Sequence, residues 1–202
     1  MNSKSRMGLQ RRISQSAPIR GVGRWLKVLA IACTISIPTL QAQSSKLTDY
    51  DVKAAYLFNF GRFVEWPEAG GGKEVSFTFC ILGHDPFGAN LDHLLAKETI
   101  DGKHIAIKRI SSVEESGGCH VLFMSLGEEG HLNKIIEALD KQSVLTVSDI
   151  PQFSEHGGMI QFVMEGERVR FEVNLSATQR AGLTLSSDLL KVATAVKGGP
   201  GN

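Results

Sequence analysis

The sequence predicts a single α/β domain: a mostly parallel sheet flanked by helices, of flavodoxin or Rossmann-like type, with an antiparallel C-terminal hairpin. Three observations carry this. Apolar runs such as VSFTFCILG, Val75 to Gly83, are continuous rather than alternating, as in strands covered on both faces. These runs alternate with segments whose apolar residues recur at helical spacing, in the order that right-handed parallel crossovers require. The stretch MIQFVMEGERVRFEVN, 159–174, then holds two strand patterns split by a turn signal at Glu165 and Gly166.

The first element is a helix from about Tyr50 to Glu65, with Thr48 or Asp49 available as N-cap and Pro67 just past its end. Stepping about 100° per residue groups Val52, Tyr56, Phe60, Phe63 and Val64 into one stripe, the expected core face. Phe58 falls on the opposite side, beside Ala54, Arg62 and Glu65. An aromatic amid charge is either an ordinary scattered exposed residue or part of a contact surface toward a second copy or a partner, where an aromatic and an arginine are favoured anchors. Phe58, Arg62 and Glu65 are the contact positions nominated on that ground.

Val75–Gly83 is the first strand. A helix follows on Phe87, Leu91, Leu94 and Leu95; His104–Ile110 alternates as a strand does, and His120–Ser125 is a further buried strand. Leu132, Ile135, Ile136 and Leu139 mark another helix, and Val144–Ile150 another strand. After the hairpin comes a helix from about Ser176 to Val196, broken near Gly182, and a frayed tail at 198–202. Within the hairpin, Arg168, Arg170, Glu172 and Asn174 share one face, because side chains two apart point the same way; Val169, Phe171 and Val173 take the core face. The polar face is either a wet outer surface or a ligand or partner surface on which two guanidinium groups supply planar, bidentate recognition.

Charge is unevenly placed. The first 42 residues hold seven bases and no acid, and lead into the eleven-residue apolar run VLAIACTISIP and then TLQAQSS. A basic start, an apolar run too short to span a bilayer, and small residues around Ala42 form the pattern of a secretory signal over residues 1–42. An uncleaved N-terminal anchor is the competing reading. Removing the signal takes seven of the 22 bases and none of the 21 acids, so residues 43–202 carry net −6. That sign, with no Lys/Arg stripe interleaved with aromatics, excludes a nucleic-acid footprint. Cys33 would leave with the signal; Cys80 and Cys119 remain in an exported chain, where a disulfide between them is expected, against the alternative of two separate buried thiols.

Motifs for chemistry are missing. The six histidines form no HExxH or comparable ligand spacing, and His84 and His120 at strand ends are expected to be solvated, so no metal is predicted. Neither GxGxxG nor a P-loop follows a strand, and no cofactor is expected. Cys119 and His120 are neighbours on a strand and point to opposite faces, so this imidazole does not activate this thiol. Ser125 lacks the flanking glycines of a nucleophile elbow. Pro86 in GHDPFG is a favourable helix start; an anion held by the following amides is the alternative. No catalytic residue is assigned.

Four segments, VKAAYLFNFGRFVEWP, FCILGHDPFG, GCHVLFMS and FEVNLSATQRAGLTLSSDLLKVA, occur in an order in which the chain resembles the YfiR family of periplasmic regulators. The resemblance spans nearly all of Tyr50 to Val196, and it implies a YfiR-like periplasmic domain over 43–197. It further implies a dimeric, non-enzymatic regulator that binds the sensor domain of an inner-membrane, GGDEF-type diguanylate cyclase and keeps cyclic-di-GMP synthesis low. Cys80 and Cys119 match the family's first cysteine pair, for which a redox-responsive disulfide is implied; the second pair is missing here, where the chain reads HGGMIQFVMEG. In a flavodoxin-like order the strands of Cys80 and Cys119 are neighbours, and a directly cross-strand bridge is expected to be strained and reducible. The functional alternative is a periplasmic small-molecule sensor serving a histidine kinase or transporter, its ligand held where GHDP and SLGEE end their strands. A thiol-redox enzyme is a third, weaker reading, since CxxC is absent.

Overall fold

The computed structural model describes residues 47–67 and 76–199. The expected secretory signal over residues 1–42, Cys33 within it, Val75 and the last three residues of the chain lie outside the described residues.

Helix α1 runs Asp49–Phe63 and opens on a capping box. Thr48 Oγ1 accepts the Asp51 N–H at 3.2 Å, and the Thr48 N–H donates to Asp51 Oδ2 at 2.8 Å. That backbone bond holds the Asp51 carboxyl below the usual range. The helix ends two residues earlier than predicted, because Val64–Glu65 (β1) turns extended and later pairs antiparallel with Thr184–Leu185.

The main sheet begins with β2 (Ser76–Leu82), followed by α2 (Ala89–Leu95), β3 (Thr99–Ile100) and β4 (Lys103–Ile110). The β3–β4 hairpin is absent from the sequence reading. Its two-residue loop is Asp101 at φ 50° and Gly102 at φ 74°, the paired left-handed conformations that a twisted hairpin demands. After a 3-10 turn come β5 (Val121–Met124), a second 3-10 turn, α3 (Leu132–Ala138), β6 (Leu145–Ser148), and the hairpin β7 (Ile160–Glu165) and β8 (Arg168–Asn174). The expected long C-terminal helix is instead four elements: α4 (Leu175–Arg180), β9 (Thr184–Leu185), α5 (Ser187–Val192) and β10 (Ala195–Lys197). The predicted break at Gly182 is real, with φ 74° and the Leu183 N–H returning to the Thr178 carbonyl at 2.9 Å. Local helical pattern then loses to pairing, since β9 covers β1 and β10 joins β8 in parallel.

Strand order is β10-β8-β7-β6-β5-β2-β4-β3. Its centre, β4-β2-β5-β6-β7, is all parallel and is the flavodoxin-like order; β8 and β3 add antiparallel neighbours at either side. One face is covered by α1, α2 and the C-terminal helices over Phe79, Ile81, Phe123, Val147, Phe162 and Phe171. The other is covered by α3 over Leu82, Leu122, Met124 and Phe153.

The buried stripe of α1 is Lys53, Ala54, Leu57, Phe60 and Gly61, about 80° round the helix from the predicted one. Phe63, assigned to the core, is 38% exposed. Two contacts set this rotation. A Cβ on Gly61 would stand 2.6 Å from Ile100 Cδ1, so residue 61 faces the sheet and the backbone comes close. Lys53 Nζ meets Asp149 Oδ2 at 2.5 Å just past β6, with side chains 10% and 9% exposed. The Tyr50 hydroxyl donates to the same oxygen at 2.9 Å, and Lys53 Nζ lies 4.2 Å from the Tyr50 ring centroid.

Asp149→Ala leaves the Lys53 ammonium buried without its counter-charge, and urea unfolding should show a loss of about 3–5 kcal/mol. Lys53→Met together with Asp149→Leu should recover most of that loss, because desolvation of both charges is then avoided.

Candidate functional site

The nominated contact positions divide. Phe58 is half-buried, not fully outward: its ring packs partly on the main core, a result of the rotated helix. Arg62 is exposed, with its guanidinium carbon 5.7 Å from the Phe58 ring centroid. The two make one stacked aromatic–arginine unit, one helical turn apart. Glu65 is exposed but lies beyond the helix, on β1 opposite Thr184.

Toward the other end of α1, a cleft of about 640 Å³ opens between the start of the helix and the β7–β8 tip. Arg168 and Arg170 line it from the hairpin, opposite Val52 and Tyr56 of α1. Arg170 Nε also contacts Glu165 Oε2 at 3.5 Å. Glu172 and Asn174, predicted on the same face, do not reach this cleft, because they are occupied inside the fold. Lys197 of β10 contacts Glu172 at 3.0 Å, and this bond raises the lysine pKa. Asn174 Oδ1 accepts the Ala177 N–H at 3.0 Å and so caps α4, while its Nδ2 donates to the Ser154 carbonyl at 2.8 Å. The four-residue polar face is therefore two arginines beside a cleft and two residues of internal scaffolding.

At the carboxyl ends of the parallel strands, GHDP closes on itself. Asp85 Oδ1 accepts the N–H groups of Phe87 and Gly88 at 2.8 and 3.2 Å, so the anion at those amides is the protein's own. Arg109, which sequence reasoning missed, holds that loop: its Nε donates to Asp85 at 2.7 Å and its Nη2 to Asp92 at 2.5 Å. Those bonds push the guanidinium pKa up and the Asp92 carboxyl down. No local pattern announces this, since the partners lie 24 and 17 residues away. Beyond β5 a second cleft of about 410 Å³ is bounded by Ser112, Glu128, His131 and Lys134.

Cys80 and Cys119 form a disulfide, with Cα atoms 5.8 Å apart. The cross-strand partner of Cys80 is Leu122, and Cys119 precedes β5, so the bridge is not the directly opposed kind that the sequence led us to expect. Both residues are buried, at 1% and 5% exposure. His120, expected to be solvated, is buried too, at 7%. Its Nδ1 accepts the Thr78 N–H at 3.1 Å, and its ring lies 4.4 Å from Phe77 and 6.0 Å from Trp66. The bridge faces the α3 side and the imidazole faces the α1 side, as alternation along the chain requires.

A family model described as YfiR/HmsC-like matches residues 50–194. Among solved structures, a conserved domain protein from Vibrio cholerae O1 biovar El Tor is similar at 11% identity with a TM-score of 0.50, over 76% of this chain and 62% of that one. An ABC domain in complex with L-Trp from Streptococcus pneumoniae aligns at 12% identity with a TM-score of 0.44, over 59% of this chain and 55% of that one. This chain thus spans less than two thirds of either protein. The likeness to the Vibrio structure concerns the fold alone.

Burial should protect the disulfide. Under native conditions dithiothreitol is expected to reduce it at least tenfold more slowly than in denaturant, as read by thiol alkylation; Cys80→Ser with Cys119→Ser should cost about 4 kcal/mol by loop entropy. Tyr50 gives a pH signature. Burial first, then its bond to Asp149, pushes its pKa up to about 12 from 10.0. A raised folded pKa contributes stability that is present below pH 10 and is lost as pH climbs toward 12, and Tyr50→Phe should flatten that loss in denaturation series followed at 295 nm.

Proposed function

We propose a function from one premise: the chain belongs to the YfiR/HmsC-like family. Members of that family are periplasmic regulators of diguanylate cyclase signalling, and their partner is a membrane diguanylate cyclase. For this chain the proposal is more specific. After export and removal of residues 1–42, it acts as a homodimeric, non-enzymatic repressor: it binds the periplasmic sensor domain of an inner-membrane cyclase and holds cyclic-di-GMP synthesis low. Repression by binding requires tighter association with the inactive arrangement of that domain than with the active one. The observation that favours a docking role is the Phe58–Arg62 unit, an aromatic stacked under an exposed guanidinium on α1. Both residue types are enriched among interface anchors, and here the pair is pre-ordered by the helix. Glu65 extends the same contact surface from β1.

A second reading rests on the cleft lined by Arg168 and Arg170. Paired guanidinium groups beside an aromatic suit a small anionic ligand with an apolar body, which would make the protein a receptor serving a histidine kinase or transporter.

Because Phe58 packs partly on the core, Arg62→Glu is the cleaner probe. Tagged mature protein should capture a GGDEF-type cyclase from solubilised membranes. Arg62→Glu should weaken capture about 30-fold with its Tm unchanged. Equal capture by the variant removes Phe58–Arg62 as the anchor. No cyclase captured, with a ligand-dependent rise in Tm that Arg168→Ala abolishes, favours the receptor.

A further inference from the structure

The topological switch of the sheet lies between β2 and β5: from β2 the chain crosses to β4 on one side and returns to β5 on the other. At the carboxyl edge, Gly83, Ser125 and Asp149 extend the in-register rows of β2, β5 and β6 by one residue. Alternation points Ser125 and Asp149 toward the α1 side, and for Asp149 the bonds from Tyr50 and Lys53 show that direction.

Two buried side-chain oxygens in this row have no hydrogen-bond partner among the described residues: Ser125 Oγ and Asp149 Oδ1. Ser125 is 5% exposed and the Asp149 side chain 9%. The asymmetry at Asp149 is marked, since both donors from α1 go to Oδ2 and leave Oδ1 with none. A third oxygen lies on the Ser125 side of this row. Ser125 Oγ and Glu128 Oε1 each lie 2.5 Å from where a Cβ on residue 83 would stand, and that residue is glycine.

We propose that the strand-end row is a binding site for one ordered internal water, held by Ser125 Oγ and Asp149 Oδ1, with Glu128 Oε1 as its third neighbour. The backbones of neighbouring strands run about 4.8 Å apart, and with no direct bond to either oxygen a bridging water can satisfy both. The chemistry selects water over a cation: the Lys53 ammonium already lies against the Asp149 carboxylate. Water donates a proton to Asp149 Oδ1 and exchanges a bond with the Ser125 hydroxyl, which can donate or accept. Buried waters typically make about three such bonds. The site ties the α1 anchor to the loop after β5.

A high-resolution crystal structure of the mature, oxidised protein tests this. The expected result is a density peak within hydrogen-bonding distance of both Ser125 Oγ and Asp149 Oδ1. In solution, a long-lived water should give cross-peaks to the Ser125 amide in water-selective NMR. Ser125→Ala should abolish peak and cross-peaks and lower Tm by about 2–4 °C. A direct bond from Ser125 to Asp149 or Glu128, or close packing with no peak between them, overturns the proposal, as does a Ser125→Ala protein that retains both signals.

Discussion

The position of α1 depends on a buried charge pair near its start, backed by the close approach of Gly61 to the sheet near its end. Lys53 reaches from the second turn of the helix to Asp149 beyond β6, and Tyr50 closes on the same carboxylate. A lysine is rarely buried without a partner. Once the pair forms, the helix can turn in only one way, and everything on its surface follows. Leu57 and Phe60 go down onto the sheet, Phe63 comes out, and Phe58 stops at the boundary with Arg62 above it. A pair of this kind adds little net stability over an apolar equivalent. Its value lies in fixing an orientation that hydrophobicity alone leaves open.

That orientation matters because the two candidate surfaces both belong to α1. The first turns of the helix form one wall of the arginine-lined cleft, and the last turns carry the Phe58–Arg62 unit. A rigid helix pinned near its N-terminal end keeps these surfaces in a fixed relation, so a ligand in the cleft and a partner at the far end would bear on the same body. Of the four polar residues on this face of the hairpin, the two arginines line the cleft, while Glu172 and Asn174, next along the strand, bond to β10 and α4.

Much of the fold was legible in the sequence. Continuous apolar runs gave the parallel strands, the Glu165-Gly166 signal gave the hairpin, and Gly182 gave the break in the C-terminal segment. What escaped was decided by partners distant in sequence. The stripe of α1 was misplaced because a lysine was counted as polar and therefore outside, and nothing near Lys53 advertises Asp149. β1, β9 and β10 are too short to show a period of their own and exist because each finds an edge to pair with. His120 looked solvated as a polar residue at a strand end, yet the aromatic rings of Trp66 and Phe77 enclose it. Of the candidate site, the residue types were readable, but whether a side chain is free or engaged was not: Arg168 and Glu172 look equivalent along the strand and are opposites in the structure.

The bridge between Cys80 and Cys119 encloses 39 residues of separation, and within that span lie α2, β3 and β4. This whole flank of the sheet is consequently a covalent ring, with both its ends in the interior. Backbone cleavage at the exposed Asp101-Gly102 turn would open the ring without releasing a fragment: two chains would remain, joined by sulfur and still sharing the core strand β2. After such a nick the two pieces are held twice over, by the buried bridge and by the pairing of β2 with β4 and β5.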